Sequence, residues 1–177
     1  NKDKFTSPDG SVTPVTDPAY NVDRVVIPED CSSIAAVLSN ARTPNFTWKD
    51  GECEIPAVPD TLALPEIITI DAEDGQTLYG SIIYPLDFDP SGKYPVHMEI
   101  YGGPGTQYVQ DRWRKPNEWW SENGFIHLVA DSRVSGHNGR AGTDLDHKDL
   151  TTCAIKDFCT WAEWLRSLPY VDAIGVE

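Results

Sequence analysis

The pattern of apolar and polar positions changes character after Pro65. Residues 1–60 contain short apolar runs, each bounded by turn-forming residues, and Lys49-Asp50-Gly51 predicts a hairpin turn after one of them. Short strands separated by Asp-Gly turns are typical of an antiparallel sheet such as a blade of a β-propeller. Because so few strands do not bury a sufficient core of their own, we expect residues 1–60 to form a β-rich remnant and linker.

Residues 61–177 begin with two apolar runs that flank a turn signal. The runs at 66–71 and 78–84 lie on either side of Asp74-Gly75, which predicts an antiparallel hairpin. Further buried strands are predicted at 96–101 and at 125–131, where apolar residues follow one another without a polar face.

Helical signals lie between and after these strands. Residues 111–123 predict a helix, although Pro116 must either begin it or break it. A second helix is marked by apolar residues at steps of three and four, and Pro169 ends it. Residues 174–177 then open another strand. The apolar positions of the second helix are Leu150, Ala154, Phe158, Trp161, Leu165 and Leu168.

This alternation of strands and helices predicts an α/β fold in residues 61–177, with a mostly parallel sheet and flanking helices. The last strand, at 174–177, has no helix after it. An incomplete sheet leaves an unpaired edge, so we expect the fragment to pair with a second copy as a homo-oligomer or strand-exchanged dimer.

Composition removes several classes of function. The chain has 14 Lys+Arg against 28 Asp+Glu, a formal net charge of −14, and lacks the basic stripes that nucleic-acid binding requires. It has no C-x-x-C pair and its histidines are scattered, so we expect no zinc site. The four cysteines are expected to be small buried residues, and Cys153 and Cys159 lie on different faces of the predicted helix.

The run from Val96 to Gly105 is the most informative stretch. It predicts a buried strand that ends at Tyr101 and leaves through a glycine-rich turn, Gly102-Gly103-Pro104-Gly105. This turn lacks the spacing of a phosphate-binding loop, and Pro104 removes an amide, so no cofactor is expected. A tyrosine at the carboxyl end of an α/β strand either lies at the functional site or packs in the core. The pattern alone leaves both readings open.

A serine hydrolase carries its nucleophile in G-x-S-x-G at a strand-to-helix turn. No serine of this chain has glycine two positions before and two positions after it, and Ser135 lies in a loop. In an α/β-hydrolase one oxyanion donor follows the third strand and the nucleophile follows the fifth. Tyr101 ends the third predicted strand, and 174–177 begins the fifth. We therefore expect the chain to stop just short of a nucleophile.

An ordered set of motifs resembles the start of the catalytic domain of the dipeptidyl peptidase IV group, within the prolyl oligopeptidase family of serine peptidases. The resemblance covers residues 61–177 well, and residues 1–60 more loosely resemble the last blade of the family's propeller. The matching motifs are Asp74-Gly75, Leu78-Tyr79-Gly80, Tyr84-Pro85, Phe88-Asp89-Pro90, Tyr101-Gly102-Gly103-Pro104-Gly105, Asp131-Ser132-Arg133, Ser135-Gly136 and Leu168-Pro169-Tyr170-Val171-Asp172.

This resemblance implies an α/β-hydrolase domain joined to a β-propeller, and removal of dipeptides from the N-termini of peptide substrates by a Ser–Asp–His triad. It implies that Tyr101 is the oxyanion-hole tyrosine and that all three triad residues lie beyond residue 177, so that the fragment is inactive. The family includes exported, membrane-anchored and cytosolic proteins, and we expect an exported parent. The alternative is a non-catalytic relative that keeps the scaffold for protein interaction.

One motif departs from the family. Arg133-Val134 stands where the family usually has Arg-Gly, and valine resists the positive φ that glycine allows. We expect Arg133 and Arg140 to hold the 132–144 loop through ion pairs.

Overall fold

The computed structural model of the chain describes residues 4–6, 9–116 and 118–176. Three sequence predictions reach beyond these ranges, the first being the β-rich remnant over 1–60, which includes residues 1–3, 7 and 8. The helix predicted over 111–123 includes Asn117, and the strand predicted over 174–177 includes Glu177, so both positions lie outside the described residues.

The chain forms two compact units. The first combines Asn1–Asp60 with Asp111–Lys115, and the second combines Thr61–Gln110 with Pro116–Glu177. The stretch Asp111–Lys115, called the return segment below, thus belongs to the first unit although it lies within the sequence of the second.

The first unit is built from antiparallel strands. A two-stranded ribbon joins β1 and β2, and the strands β3 to β6 pair in sequence order as a four-stranded sheet. The predicted turn between β5 and β6 is confirmed, because Asp50 and Gly51 both have positive φ, 49° and 99°. The strands are β1 Lys4–Thr6, β2 Val12–Pro14, β3 Asn21–Val26, β4 Ala35–Asn40, β5 Thr43–Lys49 and β6 Glu52–Cys53.

The return segment is hydrogen-bonded into this first unit. The Asp111 carboxylate accepts the backbone N–H of Ala41 at 2.9 Å, and the backbone N–H of Trp113 donates to Ser39 Oγ at 3.2 Å. Ser39 is fully buried. Two residues of the return segment, Asp111 and Trp113, therefore satisfy polar groups at the end of β4 and just after it.

The second unit contains a mixed five-stranded sheet in the order β11-β9-β10-β8-β7. The predicted hairpin is confirmed, since β7 and β8 are antiparallel, and β8 also pairs antiparallel with β10. The pairs β9–β10 and β9–β11 are parallel. Because the sheet thus has as many antiparallel pairs as parallel ones, the expected mostly parallel sheet is not confirmed. The strands are β7 Glu66–Asp71, β8 Thr77–Ile83, β9 Tyr94–Ile100, β10 Ile126–Ala130 and β11 Val171–Val176.

The helices of the second unit are α1 Glu118–Glu122, α2 Gly139–Thr143 and α3 Thr152–Ser167. The helix predicted over 111–123 was wrong in extent, because among the described residues of that span only Glu118–Glu122 is helical. Pro116 disfavours helical geometry at the residue before it, and residues 111–115 are held by the first unit.

The helix α3 confirms most of the strongest periodic pattern in the sequence, but Leu150 lies before the helix and is 65% exposed, and Leu168 follows the end of the helix. Its buried apolar stripe is Ala154, Phe158, Trp161 and Leu165, which packs on the sheet with Val96, Met98 and Leu128. Complete burial of a large apolar side chain contributes about 1.5–3 kcal/mol. This stripe therefore fixes α3 against the central strands β9 and β10.

The expectation of buried cysteines was wrong. Cys31, Cys53 and Cys159 are exposed, and all four cysteines are free thiols. Within the described residues, no helix has the length and apolar character needed to cross a membrane.

Candidate functional site

The carboxyl ends of β9 and β10 define the candidate site. The two strands are parallel and in register, so that Ile100 lies opposite Ala130, and each is followed by a loop at the same edge of the sheet. Tyr101 is the first residue after β9, and Asp131 is the first after β10. In open α/β sheets ligands bind outside the carboxyl ends of the strands.

The Tyr101 side chain projects from this edge into solvent. Tyr101 is 53% exposed, and its ring stacks on that of Tyr108 with centroids 5.2 Å apart and planes inclined by 26°. A phenolic O–H is a hydrogen-bond donor and acceptor. About half of the Tyr101 surface is therefore open to solvent at this edge, where a ligand can reach the side chain.

Two different structural constraints favour glycine at the positions after Tyr101. Gly102 and Gly105 have φ of +71° and +74°, a conformation that side chains disfavour. Gly103 lies directly beneath the tyrosine ring, and a Cβ there would be 3.0 Å from Tyr101 Cζ and nearer still to Cε1. The position of the Tyr101 ring thus depends on the missing side chain of Gly103.

Asp131 links the two loops. Its carboxylate is 4% exposed and accepts the backbone N–H groups of Tyr108 and Val109, at 3.1 Å and 3.0 Å. Burial raises the pKa of the Asp131 carboxyl, whereas the two backbone hydrogen bonds and nearby His137 act to lower it. The loop after β9 is therefore fastened to the loop after β10 through two backbone amides.

Arg133 anchors the second loop to α3. Its guanidinium donates to the fully buried Asp157 carboxylate through Nη2 at 2.7 Å and Nε at 3.0 Å, and its backbone N–H donates to the same group at 2.7 Å. A further guanidinium nitrogen contacts Asp74. These hydrogen bonds raise the pKa of Arg133, those to Asp157 first and those to Asp74 next. The prediction that Arg133 holds the loop through ion pairs is confirmed.

Two further predictions concern this loop. Arg140 also forms an ion pair, with Asp144 at 3.4 Å, but the two side chains are 90% and 64% exposed. Val134, which stands at the family's usual glycine position, is fully buried in the core and is not among the positive-φ residues. The loop therefore accommodates valine without strain at that position.

Ser135 and His137 form a pair that the sequence had not singled out. Ser135 Oγ and His137 Nδ1 are hydrogen-bonded at 2.8 Å, and the His137 ring packs edge-on against Tyr79 with centroids 4.6 Å apart. Ser135 is 2% exposed, so its hydroxyl has no access to a substrate. Burial lowers the pKa of His137, and the charge of Asp131 opposes that shift.

The surroundings of the site hold other charged groups. An open cleft of about 610 Å³ lies beside the Arg133–Asp157 pair and is lined also by Lys156 and Glu163, but Tyr101 is not part of it. Among the residues that the structure describes, no group of three or more His, Cys, Asp or Glu side chains is placed to hold a metal ion.

Comparison with known proteins gives relatives whose names describe dipeptidyl peptidases. The human protein "Dipeptidyl peptidase 8" is 30% identical over 154 residues, which cover 73% of this chain and 17% of that protein. A "Probable dipeptidyl-aminopeptidase B" from Ajellomyces dermatitidis is 34% identical over 90 residues, or 50% of this chain and 10% of that protein. The chain thus spans less than a fifth of the length of these relatives. No family model matches it.

Solved structures show the same fold. Dipeptidyl peptidase 4 from Porphyromonas gingivalis superposes with a TM-score of 0.79 at 23% identity, covering 98% of this chain and 27% of that one. A structure from a study of two prolyl endopeptidases gives a TM-score of 0.75 at 21% identity, again over 98% of this chain and 27% of that one.

Proposed function

The chain belongs to the prolyl oligopeptidase family of serine peptidases, and we propose on that premise that it is part of an exopeptidase that releases dipeptides from peptide N-termini. The similarity to dipeptidyl peptidases over 154 residues carries this proposal. The exposed tyrosine at the carboxyl end of β9 supports it, because acyl transfer requires a donor at such an edge.

We propose that Tyr101 is the oxyanion-hole donor. When a nucleophile attacks the carbonyl of the scissile peptide bond, the carbonyl oxygen acquires negative charge in the tetrahedral intermediate. The Tyr101 hydroxyl would donate a hydrogen bond to that oxygen, and its exposure is the observation that supports this role. A preorganised donor of this kind lowers the barrier by about 3–4 kcal/mol.

We propose that Thr61–Glu177 is the first half of an α/β-hydrolase domain and that residues 1–60 come from the last propeller blade. The four-stranded antiparallel sheet of the first unit supports the blade. The strand β11 lies at the edge of the five-stranded sheet, where a strand-exchanged homodimer of the isolated chain would form. Self-association and export of the parent protein both stay predictions.

We also propose that the isolated 177-residue chain is inactive. Support comes from the missing G-x-S-x-G motif and from the burial of Ser135, the hydroxyl bonded to a histidine. The nucleophile would then be supplied by the remainder of the protein. A non-catalytic scaffold is the alternative, and it is an outcome of the following test.

The test uses a fluorophosphonate probe and a fluorogenic dipeptidyl substrate on the full-length protein and on the isolated chain. The full-length protein should be labelled and turn over substrate, and the isolated chain should do neither. Labelling of the chain itself would contradict its inactivity, and a full-length protein without labelling would support the scaffold alternative.

The same assay tests Tyr101. In the full-length protein Tyr101→Phe should lower kcat by about 100-fold or more with little change in KM, since the lost hydrogen bond forms in the transition state. Tyr20→Phe is the matched control, because Tyr20 packs against Phe46 within the first unit. An unchanged kcat for Tyr101→Phe would remove Tyr101 from the reaction.

A further inference from the structure

Few contacts hold the Tyr101 side chain in one orientation. The side chain is 53% exposed, and within the described residues the aromatic ring it contacts is that of Tyr108. An oxyanion donor is effective only when it is already oriented before the charge develops. The orientation of Tyr101 must therefore come from its neighbours, Gly103 beneath it and Tyr108 beside it.

Tyr108, by contrast, is fixed through its backbone. Its N–H donates to the buried Asp131 carboxylate at 3.1 Å, and the next N–H, of Val109, donates to the same group at 3.0 Å. Val109 is 3% exposed, and its carbonyl accepts the side-chain amide of Gln107 at 2.8 Å. Tyr108 thus lies between two residues that are themselves immobilised.

The carboxylate that fixes Tyr108 is itself held in place. Asp131 follows directly on β10, its carbonyl accepts the indole N–H of Trp161 at 3.3 Å, and Arg133 two residues later is bonded to the buried Asp157. A continuous series of contacts therefore runs from α3 to the ring of Tyr108.

We propose that Tyr108, held by the Asp131 carboxylate, is a positioning residue that sets the orientation of Tyr101 for catalysis. This inference rests on the proposed function of Tyr101. Tyr108 acts through the face of its ring, so its hydroxyl is not required. Asp131 acts through two backbone amides, so both of its oxygens are required.

This arrangement makes a specific prediction for substitutions at Tyr108 in the full-length protein. Tyr108→Phe keeps the stacked ring and should leave kcat within about twofold of the parent value. Tyr108→Leu keeps apolar volume but removes the ring face, and should lower kcat about tenfold while KM changes little. A small misplacement of a catalytic group is enough for an effect of this size.

Asp131 gives a second, independent variant. Asp131→Asn keeps one acceptor oxygen but turns an NH₂ group toward a backbone N–H, so it should lower kcat about tenfold as well. Asp89→Asn is the matched control, because the Asp89 carboxylate accepts the Ser91 backbone N–H at 2.8 Å in a loop that does not carry Tyr101. That control should leave kcat and KM unchanged.

A double-mutant cycle separates positioning from general structural damage. Once Tyr101→Phe has removed the donor, adding Tyr108→Leu or Asp131→Asn should have almost no further effect on kcat. The same tenfold loss in both backgrounds would overturn the inference, and so would a rise in KM in place of a fall in kcat. Thermal unfolding checks that each variant is folded, and the two variants provide separate tests.

The outcomes also separate this inference from the proposed function. If Tyr101→Phe lowers kcat but Tyr108→Leu and Asp131→Asn do not, the positioning role is wrong and the oxyanion role stands. If Tyr101→Phe has no effect, the oxyanion role fails, and the positioning role that depends on it fails with it.

Discussion

The loops that follow β9 and β10 leave the sheet side by side, but different forces hold them. The loop after β9 is rich in glycine, presents an exposed tyrosine, and receives its main polar anchor from outside, at Asp131. The loop after β10 has Asp131, Ser132, Val134 and Ser135 almost fully buried, and is bonded to α3 through Arg133. The exposed loop that carries the candidate chemistry thus takes its geometry from a buried loop that carries none.

The largest expected effect comes from breaking the anchor of the buried loop. Arg133→Met leaves the fully buried Asp157 carboxylate without its cation, and an uncompensated buried charge of this kind destabilises a protein by about 3–5 kcal/mol. The measurement is the denaturant midpoint of the full-length protein, followed by tryptophan fluorescence.

Arg140→Met is the control for that experiment. The Arg140–Asp144 pair is mostly exposed, so its loss should change stability by no more than about 0.5 kcal/mol. Equal effects of the two substitutions would contradict the view that the loop after β10 is held by its buried ion pair.

A smaller effect is expected in the exposed loop, and it should affect kcat more than stability. Gly103→Ala places a methyl group against the Tyr101 ring, and the resulting rotation of the ring should lower kcat about tenfold. Steady-state kinetics of the full-length protein measure this loss.

Gly124→Ala is the matched control for Gly103→Ala. Gly124 has φ of +76° with open space around it, so alanine there is strained and should lower stability by about 1 kcal/mol without changing kcat. If Gly103→Ala retained full kcat, the Tyr101 ring would not depend on that close approach.

The smallest effect concerns the pH dependence of the buried loop. Burial holds the pKa of His137 below its usual 6.5, so the stability that this group contributes is fully present above pH 6.5 and is lost as the pH falls through the lowered pKa. His137→Phe keeps a ring against Tyr79 but cannot be protonated. Between pH 7.5 and pH 5, the unfolding midpoint of the variant should therefore fall by less than the unfolding midpoint of the parent protein. An equal fall of the midpoint in the two proteins would exclude His137 as the source of this pH dependence.

The sequence predicted those elements whose signals are local. The Asp74-Gly75 hairpin, the strand that ends before Tyr101 and the helical stripe that includes Trp161 were all correctly placed. In each case the spacing of the apolar residues, together with a turn, a glycine or a proline at the end, leaves one solution for the backbone. The number of parallel strand pairs in the sheet depended on how β8 pairs with β10. No local sequence pattern encodes that pairing.

The site itself was predictable only in part. Tyr101 carried a signal because it directly follows a buried strand, and Asp131 occupies the same position after the next strand. The bond from Asp131 to the Tyr108 amide joins residues 23 apart through backbone atoms, and backbone amides leave no trace in the side-chain sequence. The stacking of Tyr108 on Tyr101 follows from that bond, so it was equally hidden.

The return segment changes how this chain can be divided in the laboratory. A cut at residue 60 looks like a natural place to separate two units, but the second piece would carry away Asp111 and Trp113. The Ala41 amide and the Ser39 hydroxyl, which those residues satisfy, would be left without these partners in the first piece. We therefore expect the first piece of a protein divided at residue 60 to be less stable than the same unit in the whole chain. Supplying residues 111–115 as a tethered peptide would be the way to restore it.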